Sequence, residues 1–301
     1  MFLNLKNKNI EREFVLIIQN IVKFKIKTIS IIGEGNSAIG FEINNDFVFL
    51  IGKNENISNS FHKQFILLPK INRYIKYQLP YPIWYSRKDS YFKFGYLGYK
   101  KIIGVNNNQR NHLLINHKTL SADVANFLFQ LHSLNTNTLM LDSCNFEHED
   151  ILLRDFIMPK LKNLFSITEY KILEKWWINY FLNSQKYILC AKFIHGDFHF
   201  QNFVLSSDYK KLIGVIDFEG CGIGNPANDL ASLNYISKNF LNLVLDKYSR
   251  QTGFCRNLLE EVVQLQWEKR EFSNLNYSIL SNSTDSVRTS IDKVRKGHLF
   301  C

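Results

Sequence analysis

Two short stretches in the second half of the chain carry side chains suited to phosphoryl transfer. They are HGDFHFQN at 195–202 and VIDFEG at 215–220. This chemistry needs a carboxylate to orient the attacking hydroxyl and accept its proton, and Mg²⁺ ions held by hard oxygen ligands. Asp197 and Asn202 stand five positions apart on one segment, and Asp217 ends an apolar run. The pattern predicts a catalytic carboxylate at Asp197 and metal ligands at Asn202 and Asp217.

The two histidines of the first stretch are interpreted more conservatively. His195 is expected to be a buried, hydrogen-bonded residue that braces the loop, and no role is assigned to His199. A lone His-Gly-Asp could consist of ordinary loop residues that cap helices. The joint spacing of the two stretches is far more specific, and it favours the chemical interpretation.

The elements that must position these residues follow from periodicity. Apolar residues recur at helical spacing over 10–23, and three strands are predicted over 25–32, 38–43 and 47–51. A helix is predicted over 61–77 with a break near Pro69, and helical patterns dominate after residue 111. We therefore expect an N-terminal lobe at 1–104, rich in β-structure, and a mainly helical C-terminal lobe at 105–301.

The two stretches resemble the catalytic and metal-binding loops of the aminoglycoside phosphotransferase family. The resemblance extends to three further segments, TISIIGEGNSAIGFEINNDFVF (28–49), VANFLFQLHSL (124–134) and NPANDLASL (225–233). Residues 28–49 are similar to the first three strands of the 2″-type enzymes. The resemblance implies an α+β, two-lobed, protein-kinase-like fold.

The resemblance also implies roles for individual residues. Asp197 would be the catalytic base, Asn202 and Asp217 would hold Mg²⁺, and Asp229 would support the catalytic loop together with His195. Three residues of the glycine turn between the first two strands would cover the phosphates of ATP or GTP, and Ile216 would line the same nucleotide site. The turn residues are Gly33, Gly35 and Ser37.

One departure from the family pattern concerns the phosphates. The family places a lysine on the third strand, paired with a helix glutamate, whereas this sequence has Leu50 there and His62-Lys63-Gln64 on the helix. Lys53 is a poor substitute, because an odd offset along a strand reverses the face. The alternative to an enzyme is therefore a degenerate kinase-fold protein that acts as a nucleotide-binding or regulatory module.

A second question is the acceptor. The resemblance implies a small hydroxylated molecule, with aminoglycosides among the candidates, but the segment after Asp229 lacks the acidic residues that a polycation would require. Glu260, Glu261, Glu268 and Glu271 are interpreted as solvent-facing, because Arg256, Lys269 and Arg270 share their segment. A protein acceptor is disfavoured, since only eight residues separate Gly220 from Asp229.

Composition and charge limit the classes of partner and the cellular location that can be expected for this chain. The chain has 301 residues and a net charge of +10, but the basic residues are scattered and form no recognisable nucleic-acid module. We expect no nucleic-acid partner and no membrane partner, since no apolar run reaches the length of a membrane helix. The five cysteines show no metal or redox spacing, and the N-terminus lacks a signal pattern, so a cytoplasmic location is expected.

Overall fold

The computed structural model describes residues 8–35, 37–106, 115–139, 146–184, 191–280 and 284–296. The chain divides into two compact units. A sheet unit is formed by Met1–Leu114 and Gln201–Gly220, and a helical unit by Ile115–Phe200 and Cys221–Cys301. The predicted combination of a β-rich N-terminal part with a larger helical C-terminal part is confirmed.

The main sheet of the sheet unit has five strands, β1 (Ile29–Glu34), β2 (Ala38–Ile43), β3 (Phe47–Gly52), β4 (Pro82–Ser86) and β5 (Tyr96–Lys100). They pair antiparallel in the order β1-β2-β3-β5-β4. The first begins four residues later than predicted, and the next two match their predicted bounds closely.

The register of the sheet separates an apolar face from a face that borders a cavity. Phe41 lies opposite Phe49, and Gly40 lies opposite Leu50, so alternate residues point to opposite faces. On the first face, the predicted N-terminal helix, α1 (Lys8–Val22), packs its apolar side against the sheet. This core contains Phe14, Ile18, Val22, Phe41, Ile43, Phe49 and Phe92.

Helix α2 (Glu55–Ile71) lies against the other face. It begins six residues earlier than predicted, because Asn54 caps its first turn by accepting a hydrogen bond from the backbone N–H of Ile57 at 3.0 Å. It continues through Pro69 and ends at Ile71, six residues before the predicted end at Tyr77. Pro69 thus lies in the last turn of the helix and does not break it.

A second sheet in the same unit consists of β6 (Val105–Asn106), β8 (Phe203–Leu205) and β9 (Leu212–Val215), in the order β6-β8-β9. The backbone of Gln78 pairs with β9, since its carbonyl accepts from the N–H of Val215 at 3.0 Å. A Cβ atom at Gly214 would collide with this Gln78 carbonyl. Glycine is thus required at position 214, where the backbone of Gln78 approaches β9.

The helical unit packs most of its helices around aromatic residues. Its helices are α3 (His117–His132), α4 (Thr136–Leu139), α5 (Phe146–Leu161), α6 (Ile167–Ser184), α7 (Ala227–Ala231), α8 (Lys238–Thr252), α9 (Arg256–Leu280) and α10 (Thr284–Lys296). Two short strands, β7 (Lys192–Ile194) and β10 (Gly222–Gly224), pair antiparallel. One hydrophobic cluster of this unit contains Trp177, Tyr180 and Phe272. Among the described residues, none of the helices is long and apolar enough to span a lipid bilayer.

Candidate active site

The HGD segment begins where β7 ends, in the helical unit. Ile194 closes the strand and pairs with Gly222 of β10. Gly196 has a φ of 82°, a backbone conformation that other residues adopt only with strain. The chain therefore turns sharply at Gly196, and this turn determines where the following residue, Asp197, is presented.

The carboxylate of Asp229 stabilises this turn through hydrogen bonds to its backbone. This fully buried carboxylate accepts hydrogen bonds from the backbone N–H groups of His195 at 2.8 Å and Gly196 at 2.9 Å. The backbone N–H of Asp197 in turn donates to His195 Nδ1 at 3.3 Å. Asp229 and His195 thus lie at the places where loop-supporting residues were predicted, and that function remains a prediction.

His132 belongs to the same network, and the sequence analysis missed it. Its Nε2 atom lies 3.1 Å from Asp229 Oδ2, and its Nδ1 atom lies 2.8 Å from the hydroxyl of Tyr248. Burial raises the pKa of the Tyr248 hydroxyl, and so does the nearby Asp229 charge. Helices α3, α7 and α8 are thereby tied to the loop. The one sequence signal is a histidine that follows the apolar positions of an amphipathic helix.

Asp197 itself is half-exposed and surrounded by basic groups. His199 Nε2 lies 2.9 Å and Arg270 Nη2 lies 3.2 Å from Asp197 Oδ1. Burial acts to raise the pKa of the Asp197 carboxyl, but the hydrogen bond and charge of His199 and the charges of Arg270 and His195 outweigh it. The net effect is a lowered pKa. Asp197 is therefore ionised and able to accept a proton near neutral pH.

Asn202 and Asp217 lie in the sheet unit, at one end of β8 and β9. Phe203 pairs with Val215, and the backbone N–H of Ile216 donates to the carbonyl of Asn202 at 2.9 Å. Asp217 follows with a φ of 66°, in the left-handed region that aspartate tolerates better than most residues. The two predicted metal ligands are thus brought to the same edge of this sheet.

Both residues open onto a pocket of about 460 Å³ in the sheet unit. The other predicted nucleotide-binding residues line it as well, namely Gly33, Gly35, Ser37 and Ile216. Its walls also include Val48, Leu50, Tyr99, Ile102 and Val204, which form an apolar surface able to hold a planar ring. The pocket therefore combines a glycine turn, an apolar slot and two oxygen-bearing side chains.

The donor set fits a magnesium ion. Asn202 and Asp217 offer an amide oxygen and a carboxylate, which are the hard ligands that Mg²⁺ binds. Burial raises the pKa of the Tyr99 hydroxyl, and the nearby negative charge of Asp217 raises it further. Tyr99 therefore stays neutral beside the Asp217 carboxylate.

The glycine turn is held by Lys53. The Lys53 Nζ atom lies 2.8 Å from both the Glu34 carboxylate and the carbonyl oxygen of Gly35. The Gly35 N–H donates to the Ala38 carbonyl at 3.0 Å, so it closes the turn and is not directed at a ligand. Phosphate binding through this N–H would require the turn to open. Asn36 lies outside the described residues.

Leu50 occupies the pocket wall where the family pattern has lysine. It packs against Ile57 and Phe61 of α2 and against Leu97 of β5. Gln64 lines the same pocket and donates to the Ser60 hydroxyl at 3.1 Å. Sheet and helix are thus joined here by apolar packing instead of an ion pair. Among the described pocket residues the one basic side chain is Lys101, 2.5 Å from Glu42.

Residues 115–262 match the sequence model of the phosphotransferase enzyme family, abbreviated APH. This segment, just under half of the 301-residue chain, is similar to that family. The matched segment contains the HGD loop, Asn202, Asp217 and Asp229, so the residues quoted for the resemblance lie inside it.

Several solved structures share the fold of this chain. A GDP and kanamycin complex of an APH(2″) enzyme superposes with a TM-score of 0.85 at 19% identity, covering 95% of this chain and 98% of that one. The ADP-bound aminoglycoside phosphotransferase APH(2″)-Ib gives a TM-score of 0.74 at 18% identity, with 95% and 97% covered. A macrolide 2′-phosphotransferase type I gives 0.71 at 10% identity, with 96% and 97% covered.

Proposed function

We propose that the chain transfers the γ-phosphate of ATP or GTP to a hydroxyl group of a small molecule. The observation that carries this proposal is the hydrogen bond from Ile216 to the carbonyl of Asn202, which sets Asn202 and Asp217 together in a pocket capped by the glycine turn. Structures of similar fold contain GDP or ADP, which supports a nucleotide ligand for this pocket.

The chemical step follows from the residues. Asp197 accepts the proton of the acceptor hydroxyl, whose oxygen forms a bond to the γ-phosphorus. The bond between that phosphorus and the oxygen bridging it to the β-phosphate breaks, and the nucleoside diphosphate leaves with the electron pair. Asn202 and Asp217 would hold Mg²⁺, which when bound neutralises phosphate charge. Asp229 keeps the loop in place through His195 and Gly196.

The proposed acceptor is a small molecule, and the more specific candidate is an aminoglycoside-like compound. The likeness to a structure with kanamycin supports it, and the macrolide enzyme of similar fold widens the range of acceptors to consider. The position of Arg270 beside Asp197 disfavours acceptors with an ammonium group next to the reacting hydroxyl. The hydroxyl that reacts is therefore proposed to be flanked by uncharged groups.

A second candidate function is a binding or regulatory module without turnover. It is favoured by Leu50 and Gln64, which remove the ion pair that positions phosphates in kinases. Loss of such a charge costs several kcal/mol of transition-state stabilisation in related cases, about 3 kcal/mol for one donor. Nucleotide binding without phosphoryl transfer to any acceptor would establish this function.

Phosphoryl transfer tests the proposal directly. Release of nucleoside diphosphate is measured with a panel of hydroxylated acceptors that includes kanamycin, in the presence of Mg²⁺. We expect acceptor-dependent release that falls about 10²–10⁴-fold in Asp197→Asn. Asp208→Asn, an exposed carboxylate in the turn between β8 and β9, is the matched control and should retain the rate. Equal rates in the wild type and Asp197→Asn would contradict the proposal.

A further inference from the structure

Arg270 contacts the carboxylate of Asp197, the proposed base, although most of the arginine side chain is shielded from solvent. It comes from α9, and its side chain is only 14% exposed, while that of Asp197 is 46% exposed. Its Nη2 atom contacts both Asp197 Oδ1, at 3.2 Å, and His199 Nε2. The guanidinium thus joins α9 to the catalytic loop.

Aromatic rings hold this guanidinium in one plane. It lies 5.7 Å from the ring centroid of Tyr235, and the His199 ring lies 5.4 Å from the same centroid. Tyr235 is anchored in turn, since its hydroxyl lies 3.2 Å from Glu271 Oε1 and accepts from Asn274 Nδ2 at 2.9 Å. Arginine stacked on an aromatic face loses little entropy on forming a further bond.

The basic groups that act on Asp197, namely His195, His199 and Arg270, all lower the pKa of its carboxyl. The titratable and charged groups on the elements that face it are His195, His199, Tyr235, Arg270 and Glu271. Burial and Glu271 raise the pKa of the Tyr235 hydroxyl, so it is neutral near pH 7. The carboxylate of Glu271 is almost completely buried and directed at Tyr235. Arg270 is therefore the permanent charge that acts on Asp197.

We infer that Arg270 is a positioning residue for Asp197: it holds the Oδ1 atom of the carboxylate and so presents Oδ2 to the acceptor hydroxyl. The inference rests on the proposed function, because Asp197 must be the base. Two nitrogen atoms, one from Arg270 and one from His199, contact the same oxygen, which fixes the position of Oδ1. Small misplacements of a reacting group lower rates by about 10²-fold.

The test compares pH–rate profiles of the wild type, Arg270→Ala, Arg270→Lys and a control, Arg256→Ala. Arg256 lies on the same helix and pairs with Asp246 at 2.8 Å, away from the catalytic loop. We expect kcat to fall about 10²-fold in Arg270→Ala with the KM for nucleotide unchanged within about threefold. The acid limb should move to higher pH, and added guanidinium ion or Arg270→Lys should restore part of the rate.

A second measurement separates this inference from the proposed function. Titration of the Asp197 carboxyl by ¹³C nuclear magnetic resonance requires no turnover, and its pKa should rise in Arg270→Ala and not in Arg256→Ala. An unchanged titration together with an unchanged acid limb overturns the inference. If the titration moves while the wild type transfers phosphate to no acceptor, the hold of Arg270 on Asp197 is supported and the proposed function fails.

Discussion

The buried carboxylate of Asp229 accepts a hydrogen bond from the backbone N–H of His195 at 2.8 Å, two residues before Asp197. The same carboxylate also accepts from Gly196 and contacts His132. The loop that carries the proposed base is therefore held by a carboxylate that is itself fully buried. Because the carboxylate is fully buried, its removal leaves several polar groups without their partner.

Replacing Asp229 with alanine should accordingly destabilise the folded chain. We expect a loss of about 3–5 kcal/mol in the free energy of unfolding, the range found when one partner of a buried charged network is removed. Urea denaturation measures it. Asp246→Ala, which removes a half-exposed partner of Arg256, should cost about 1 kcal/mol at most. Similar losses in the two variants would show that the Asp229 network is not a strong support.

A second prediction concerns the wall formed by Leu50. Leu50→Lys places an ammonium group among Ile57, Phe61 and Leu97 and should cost about 1–3 kcal/mol of stability. Adding Gln64→Glu should recover part of that loss, because the new carboxylate can pair with the lysine. The double-mutant cycle isolates this coupling. Strict additivity of the two single changes would mean that the side chains at 50 and 64 do not meet.

A third prediction concerns the stability of the helical unit at low pH. Hydrogen bonds from Arg295 and from the backbone N–H of Ser166 lower the pKa of Glu169 to about 2, from an ordinary value of 4.5. Because the folded pKa is the lower one, the stabilisation is present above about pH 4.5 and is lost as the pH falls toward 2.

Glu169→Gln should therefore lower stability at pH 7 by about 0.2–1 kcal/mol, as expected for a surface pair. The difference from the wild type should shrink between pH 4.5 and 2. Thermal denaturation at several pH values checks this. Glu174→Gln on the same helix is the control, and a difference that is constant with pH would contradict the assignment.

The sequence allowed prediction of the elements whose signals are local. Helix α1, strands β2 and β3 and the glycine turn follow from periodicity and turn residues within a few positions. The loop residues Asp197, Asn202 and Asp217 stood out because their spacing is specific to one chemistry. Their roles remain predictions, although Asn202 and Asp217 do share one pocket edge.

The residues that the sequence analysis misjudged depend on long-range packing. The charged neighbours of Glu271 predict a solvent-facing residue, which is wrong, because Glu271 is buried and only 7% exposed. The side chain of Arg270 is 14% exposed. Both partner residues, Tyr235 and Asp197, come from distant parts of the sequence. The one available signal was the spacing of Trp267, Arg270, Glu271 and Asn274, which places an aromatic residue and three polar residues on one helix face.

The pocket that contains Asn202 and Asp217 is the centre of the functional proposal, and nucleotide-dependent thermal stability tests it most directly. The melting temperature is measured with and without Mg²⁺ plus ATP or GTP, for the wild type, Asp217→Asn and Asp208→Asn. A ligand at a hundredfold its Kd adds about 2.7 kcal/mol of stability. We predict a metal-dependent rise of a few degrees in the wild type and Asp208→Asn that is absent in Asp217→Asn. A rise of the same size in Asp217→Asn, or none in any of the three proteins, would contradict the account.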